Sequence, residues 1–292
     1  MSSTVETREK RAAVGEAANH DWSLRARQTL AVLRLELKKN FLGRRALLLY
    51  ALAGMPLVVL AAAAALVQES DGAFRSFAEL NTTYSVIYGA LILRTLLFFG
   101  CAWVFMNLFR GEVVDRSLHY YFLAPVRREV LVVGKYLSGL VATATLFCIT
   151  TLGAFALVYF GFFPSQSMEY VFNGPGLGQA LTYAGITVLA CVGYGAVFLL
   201  VGLFFRNPII PAGLIYGWEW INFLLPPLLK KASVIHYLHS LVPVPPPSGP
   251  FAILAEPTPA WISVPSLLVF TALTLALAGL HIRRQEISYA GE

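Results

Sequence analysis

Six long apolar runs separated by short polar stretches set the pattern of this chain. The first, residues 46–67, carries no charge, and Arg44 and Arg45 stand before it. At 1.5 Å per residue it covers roughly 30 Å, the hydrocarbon thickness of a bilayer. Pro56 is expected to kink it. The others are about 84–109, 136–163, 177–205, 209–229 and 261–282. The pattern predicts an all-α, polytopic membrane protein, with residues 46–284 forming one six-helix domain. Between the runs lie an acidic loop before the second, a polar island at 110–135 and a tight Arg206-Asn207-Pro208 turn. A longer proline-rich outer loop at 230–260 precedes the last run.

Ahead of the first run, residues 22–45 read as an amphipathic helix lying on the membrane. Leu30, Leu33, Leu37 and Phe41 recur at helical spacing. Arg27, Arg34 and Lys38 border that stripe, where long side chains reach phosphates while their stems stay in the apolar layer. Val32 and Leu35 leave the stripe, and a helix packed on its neighbours is the competing reading. Residues 1–21 are polar with no apolar signal-peptide core, and read as a disordered lead. Residues 285–292 are a short tail.

Composition agrees with the pattern. The chain is 57% hydrophobic and 13% charged, against roughly a quarter charged in soluble domains. The net charge of +6 is unevenly placed. With six spans, 18 Lys and Arg fall on the side of the two termini and 3 on the other, so both termini are expected in the cytoplasm. Lys230 and Lys231 violate this locally and suggest a fifth element that ends shallowly or folds back. The basic balance is read as membrane orientation, not nucleic-acid binding. Cys101, Cys148 and Cys191 all lie in apolar runs and imply neither a disulfide framework nor a metal cluster.

The island at 110–135 holds eight charged residues in an otherwise apolar chain. Glu112, Asp115 and Arg116 open it, and Leu118 to Leu123 give it an aromatic and apolar middle. Pro125 stops that element, since proline lacks the amide that a helix interior needs. Arg127 and Arg128 then start the helix of the third span. A short element joined directly to two spans can pass a rigid-body movement into the membrane; a plain connector serving topology is the alternative. The segment resembles the stretch between spans two and three of type 2 ATP-binding-cassette (ABC) transporter permeases. The resemblance runs over Glu112, Ser117, the apolar run 118–124, Pro125, Val126, Arg127, Gly134 and Lys135. It departs at Asp115-Arg116-Ser117, where that family often has a Gly-Thr pair.

The resemblance extends to the layout: interfacial helix, six spans and a longer loop before the last. It implies the permease half of an exporter in a bacterial or archaeal cytoplasmic membrane. The partners would be a second permease subunit, like or unlike, and two copies of a separate ABC ATPase. Arg34, Lys38, Glu112, Arg116, Pro125, Arg127 and Arg128 then become the candidate ATPase-coupling residues. No cofactor is implied, and the chain is expected not to be an enzyme itself. Gly134-Lys135 is followed by Tyr136, and position 129 is Glu, so this is not a phosphate-cradling loop.

Two charged residues fall inside the apolar runs. Glu219, between Trp218 and Trp220, lies eleven residues beyond Pro208, roughly 16 Å along a helix. A buried carboxylate costs several kcal/mol unless protonated or paired, in the range of about 2–7 kcal/mol even for uncharged groups. It is therefore a candidate for the translocation path, a proton-linked step or a cationic cargo group; a short or re-entrant fifth element is the bland alternative. Arg94 is the second candidate, placed toward the outer leaflet where it can snorkel, with an Arg94–Glu219 pair as a further option. His236 and His239 are two ligands without a third. Gly139, Gly193, Gly195 and Gly202 allow close helix packing. Two other functions fit the chain: a noncatalytic subunit of a larger membrane complex, and a membrane-embedded enzyme acting on lipid. The latter lacks any catalytic motif in the sequence.

Overall fold

A computed structural model describes residues 26–43, 46–68, 76–114, 128–205, 207–222, 226–244 and 258–284. The polar lead, most of the island (115–127), the proline-rich stretch 245–257 and the tail lie outside them. Every regular element among the described residues is helical. Helix α1 covers 26–42 and α2 is Ala46–Gln68. A single rod follows, made of α3 (Phe77–Ile87), a π-helical segment (Tyr88–Leu97) and α4 (Phe98–Val114). Then come α5 (Arg128–Phe162), α6 (Pro164–Phe172), α7 (Gly176–Phe204) and α8 (Ile209–Ile221). The short α9 (Pro227–Lys230) and α10 (Val234–His239) precede α11 (Ala260–Arg284).

Among the described residues, five helices are long and apolar enough to cross a membrane: Ala46–Leu66, Phe77–Phe109, Val130–Phe162, Gly176–Phe204 and Ala260–Ile282. The chain is therefore a multi-pass, all-helical membrane protein. Large apolar side chains stand exposed along α2, α8 and α11, including Val58, Leu214 and Leu273. In water such a surface would aggregate; in lipid it is the solvated face. The aromatic and aliphatic core lies between the rod, α5 and α7, with Tyr84, Phe98, Phe105, Tyr159 and Phe198 fully enclosed.

Side-chain contacts fix the direction of each span. Thr150 donates to the Ala53 carbonyl at 2.7 Å, and Gly161 lies against Ala64, so α2 and α5 run in parallel. The rod and α7 also run in parallel, with Tyr88 beside Thr187 and Phe98 against Tyr194. Near their ends Gly202 meets the Met106 backbone so closely that a Cβ there would sit 2.8 Å from it. His281 stacks on Phe204, so α11 runs with α7. The rod opposes α5: the Tyr84 hydroxyl donates to the Thr151 carbonyl, and Phe105 packs on Gly139.

The expected fifth span, 209–229, is not one helix. The helix Ile209–Ile221 ends after 13 residues, roughly 20 Å. Pro226 and Pro227, which cannot supply helical amides, lie at the restart. The following segment, expected as outer loop, is packed inward: Val234, Ile235 and Leu238 are buried. Val234 faces Gly193 of α7, the His239 ring faces Gly89, and Ser85 donates to the Val244 carbonyl. Between α7 and α11, the described parts of 209–244 thus lead from the level of Phe204 to the level of Ser85. The second span begins earlier than its hydropathy suggests, because Ser76 caps α3 by accepting from the Glu79 amide at 3.2 Å. Pro56 sits inside α2 without ending it.

Candidate functional site

Helix α1 is fastened to the end of α5 that leads from the polar island. Gly134 permits the approach: a Cβ there would lie 2.9 Å from Val32 Cγ1. One residue on, the fully buried Lys135 donates to Glu36 Oε1 at 3.0 Å and to the Leu108 carbonyl of α4 at 2.8 Å. Its ammonium also lies 5.2 Å from the centre of the Phe109 ring. Lys39 adds a second cation, 3.3 Å from the same carboxylate oxygen. Burial pushes the Glu36 carboxyl up, but the charge and hydrogen bonds of Lys135, with those of Lys39, outweigh it and hold it below its ordinary 4.5. One ammonium therefore ties α1, α4 and α5 together, and the last two flank the island. At the other end of α1, the Tyr50 hydroxyl donates to the Phe41 carbonyl at 2.8 Å and draws α2 into the same unit.

The face of α1 that makes this contact is Val32 and Glu36, not the leucine stripe. Leu30 is exposed, and Leu33, Leu37 and Phe41 are half-exposed. Arg34 and Lys38 point outward from α1 and are exposed. Glu112 lies in the last turns of α4 and Arg128 opens α5. Arg116, Pro125 and Arg127 fall outside the described residues.

The second polar centre is Glu219, 4% exposed. Ser233 Oγ donates to it at 2.8 Å, the Val234 and Ile235 amides at 3.1 and 3.0 Å, and the Tyr194 hydroxyl at 3.3 Å. Three of these donors converge on Oε2 and the Val234 amide goes to Oε1. Glu219 therefore braces the break: it satisfies the first amides of α10 from α8, and ties both to α7 through Tyr194. Nearby, Asn222 Nδ2 donates to the Lys230 carbonyl at 3.4 Å.

Arg94 does not pair with Glu219. It lies near the midpoint of the Phe77–Phe109 span, on the π-helical segment, with its guanidinium 5.5 Å from the centre of the Trp220 ring. The segment's wider turns are visible at Thr95, whose hydroxyl donates five residues back to the Ala90 carbonyl at 2.9 Å. Among the glycines, Gly139 and Gly195 both receive the Phe105 ring, which places them inside the bundle. Among the described residues, no group of three or more His, Cys, Asp and Glu is placed to hold a metal ion.

No family model matches the chain, and no curated protein matches it significantly.

Proposed function

We propose that the chain is the permease subunit of an ABC exporter, working as a dimer above two copies of a separate ATPase. Both termini lie in the cytoplasm, as the 18-to-3 basic asymmetry favours. The membrane is crossed six times, five by continuous helices and once by the broken α8–α10 element. The observation that carries the reading is the Lys135 ammonium held between Glu36 and the Leu108 carbonyl. It makes α1 and the two spans that flank the island one mechanical unit, which a coupling role requires and a passive connector does not.

In this reading ATP binding closes the ATPase pair and pushes on the island. Arg116, Arg127 and Arg128 with Glu112 receive the push, and Arg34 and Lys38 on the exposed face of α1 make a second contact. Because α1, α4 and α5 are joined, the load reaches both spans at once and tilts them against the rest of the bundle. The exporter reading is tested by replacing Arg127 and Arg128 together with Glu. The protein should insert and dimerise as before, while its stimulation of the ATPase falls by about tenfold or more, the loss of one or two charge-assisted contacts. Unchanged stimulation would count against the assignment.

A further inference from the structure

Among the described residues, Arg94 is a charged group within a span whose hydrogen bonding is incomplete. Its guanidinium is half-buried, and its Nε is enclosed without a hydrogen-bond partner. Among the described residues no carboxylate forms an ion pair with it. Glu219, the acidic group close by, is held instead by Ser233, Ile235 and Tyr194 at Oε2 and by the Val234 amide at Oε1. A second enclosed nitrogen without a partner, Nε2 of His239, stands on the same side of the rod, where the His239 ring faces Gly89. The π-helical segment Tyr88–Leu97 carries both Gly89 and Arg94, and such segments mark functional sites more often than regular helix does. On the other side, Phe99, Tyr216 and Trp220 form an aromatic rim: Tyr216 lies 4.9 Å from Phe99 and 6.2 Å from Trp220. Phe99 and Trp220 remain 43% and 42% exposed, so the rim opens to the lipid face.

A guanidinium within a membrane span is costly unless an anion compensates it. Here an enclosed donor, an imidazole against the same π-helical segment and an aromatic rim open to lipid lie together, while the nearby carboxylate is held by α7 and α10. We infer that Arg94, with His239, receives the anionic headgroup of an amphiphile, a phosphate or a carboxylate whose apolar tail lies over Phe99, Tyr216 and Trp220. Bidentate pairing with such a group is what a guanidinium offers and an ammonium does not. The inference stands independently of an ATPase partner. If the exporter reading also holds, it makes the cargo class, or a bound lipid cofactor of transport, an anionic amphiphile.

The test uses the full-length chain in bilayers doped with brominated phosphatidic acid or brominated phosphatidylcholine. The readout is the part of the tryptophan quenching that is lost in a Trp220→Phe variant. The expected result is a preference of about tenfold or more for phosphatidic acid at Trp220, the size of one charge-assisted hydrogen bond. Arg94→Gln should abolish the preference, and Arg94→Lys should keep only part of it. Inorganic phosphate added at millimolar concentration separates the sources: displacement shows that the headgroup alone is recognised, and no displacement shows that the tail is required. Equal quenching by the two lipids in the unmodified chain would overturn the inference, whether or not the variants fold. So would a preference that survives Arg94→Gln in a folded variant, since the selecting charge would then lie elsewhere.

Discussion

Lys135 and Glu36, 99 residues apart in sequence, form a buried ion pair at 3.0 Å, and the same ammonium reaches the Leu108 carbonyl at 2.8 Å. The glycine before Lys135 is what lets α1 come close enough for the pair to form. Gly134 and Lys135 thus act in sequence, the first admitting Val32 and the second anchoring Glu36. The anchor lies within a few residues of the ends of α4 and α5 that flank the island.

Removing one partner breaks a buried ion pair, a cost of up to about 3–5 kcal/mol, lessened for Glu36 by Lys39 at 3.3 Å. Glu36→Gln and Lys135→Met should each lower the thermal unfolding midpoint in detergent and expose the α1–α2 corner at Gly43 to protease. The double variant should recover part of the loss. Additive losses would show that the pair does not couple the two helices.

Acid should release the same contact. The Glu36 carboxyl is held below its ordinary value of 4.5, so its contribution is complete above about that pH. It is lost as pH falls through the lowered value. A label pair on α1 and α5 should therefore report a constant distance down to about pH 4.5 and a separation below it. Glu36→Gln should show no such acid step; a step of the same size in that variant would assign the transition to another group.

Glu219 is expected to behave as a brace. Glu219→Ala strands the Val234 and Ile235 amides and Ser233 Oγ, at about 1–3 kcal/mol for each buried group left unpaired. The variant should lose stability and become cleavable between α8 and α10. Glu219→Gln, which keeps an acceptor, should be milder. If instead both variants fold normally while transport stops, Glu219 belongs to the cargo path and not to the scaffold.

The apolar pattern made five spans readable to within a few residues at most ends, because a bilayer demands long uninterrupted runs. The start of the second was readable in principle from Ser76-x-x-Glu79, a capping-box spacing hidden inside an acidic loop. The broken fifth element was not legible, since 209–229 is as apolar as a span; only Pro226, Pro227 and the misplaced Lys230 and Lys231 hinted at it. Glu219 stood out as an anomaly, but its partners arrive from α7 and α10. The π-helical register at Arg94 leaves no mark in hydropathy, so its stacking on Trp220 could not be read. Lys135 was visible as part of a motif, whereas Glu36 passed for an ordinary helix residue until folding brought the two together.

As proposed, this chain transmits force from a separate ATPase. The most direct measurement is to purify the tagged protein in mild detergent from its native membrane and to identify and count what remains bound. One ABC-type ATPase chain per permease chain should remain bound, and should be lost when Arg127 and Arg128 are replaced with Glu. A stable complex that contains no ATPase would contradict it and leave the chain as a structural subunit of another assembly.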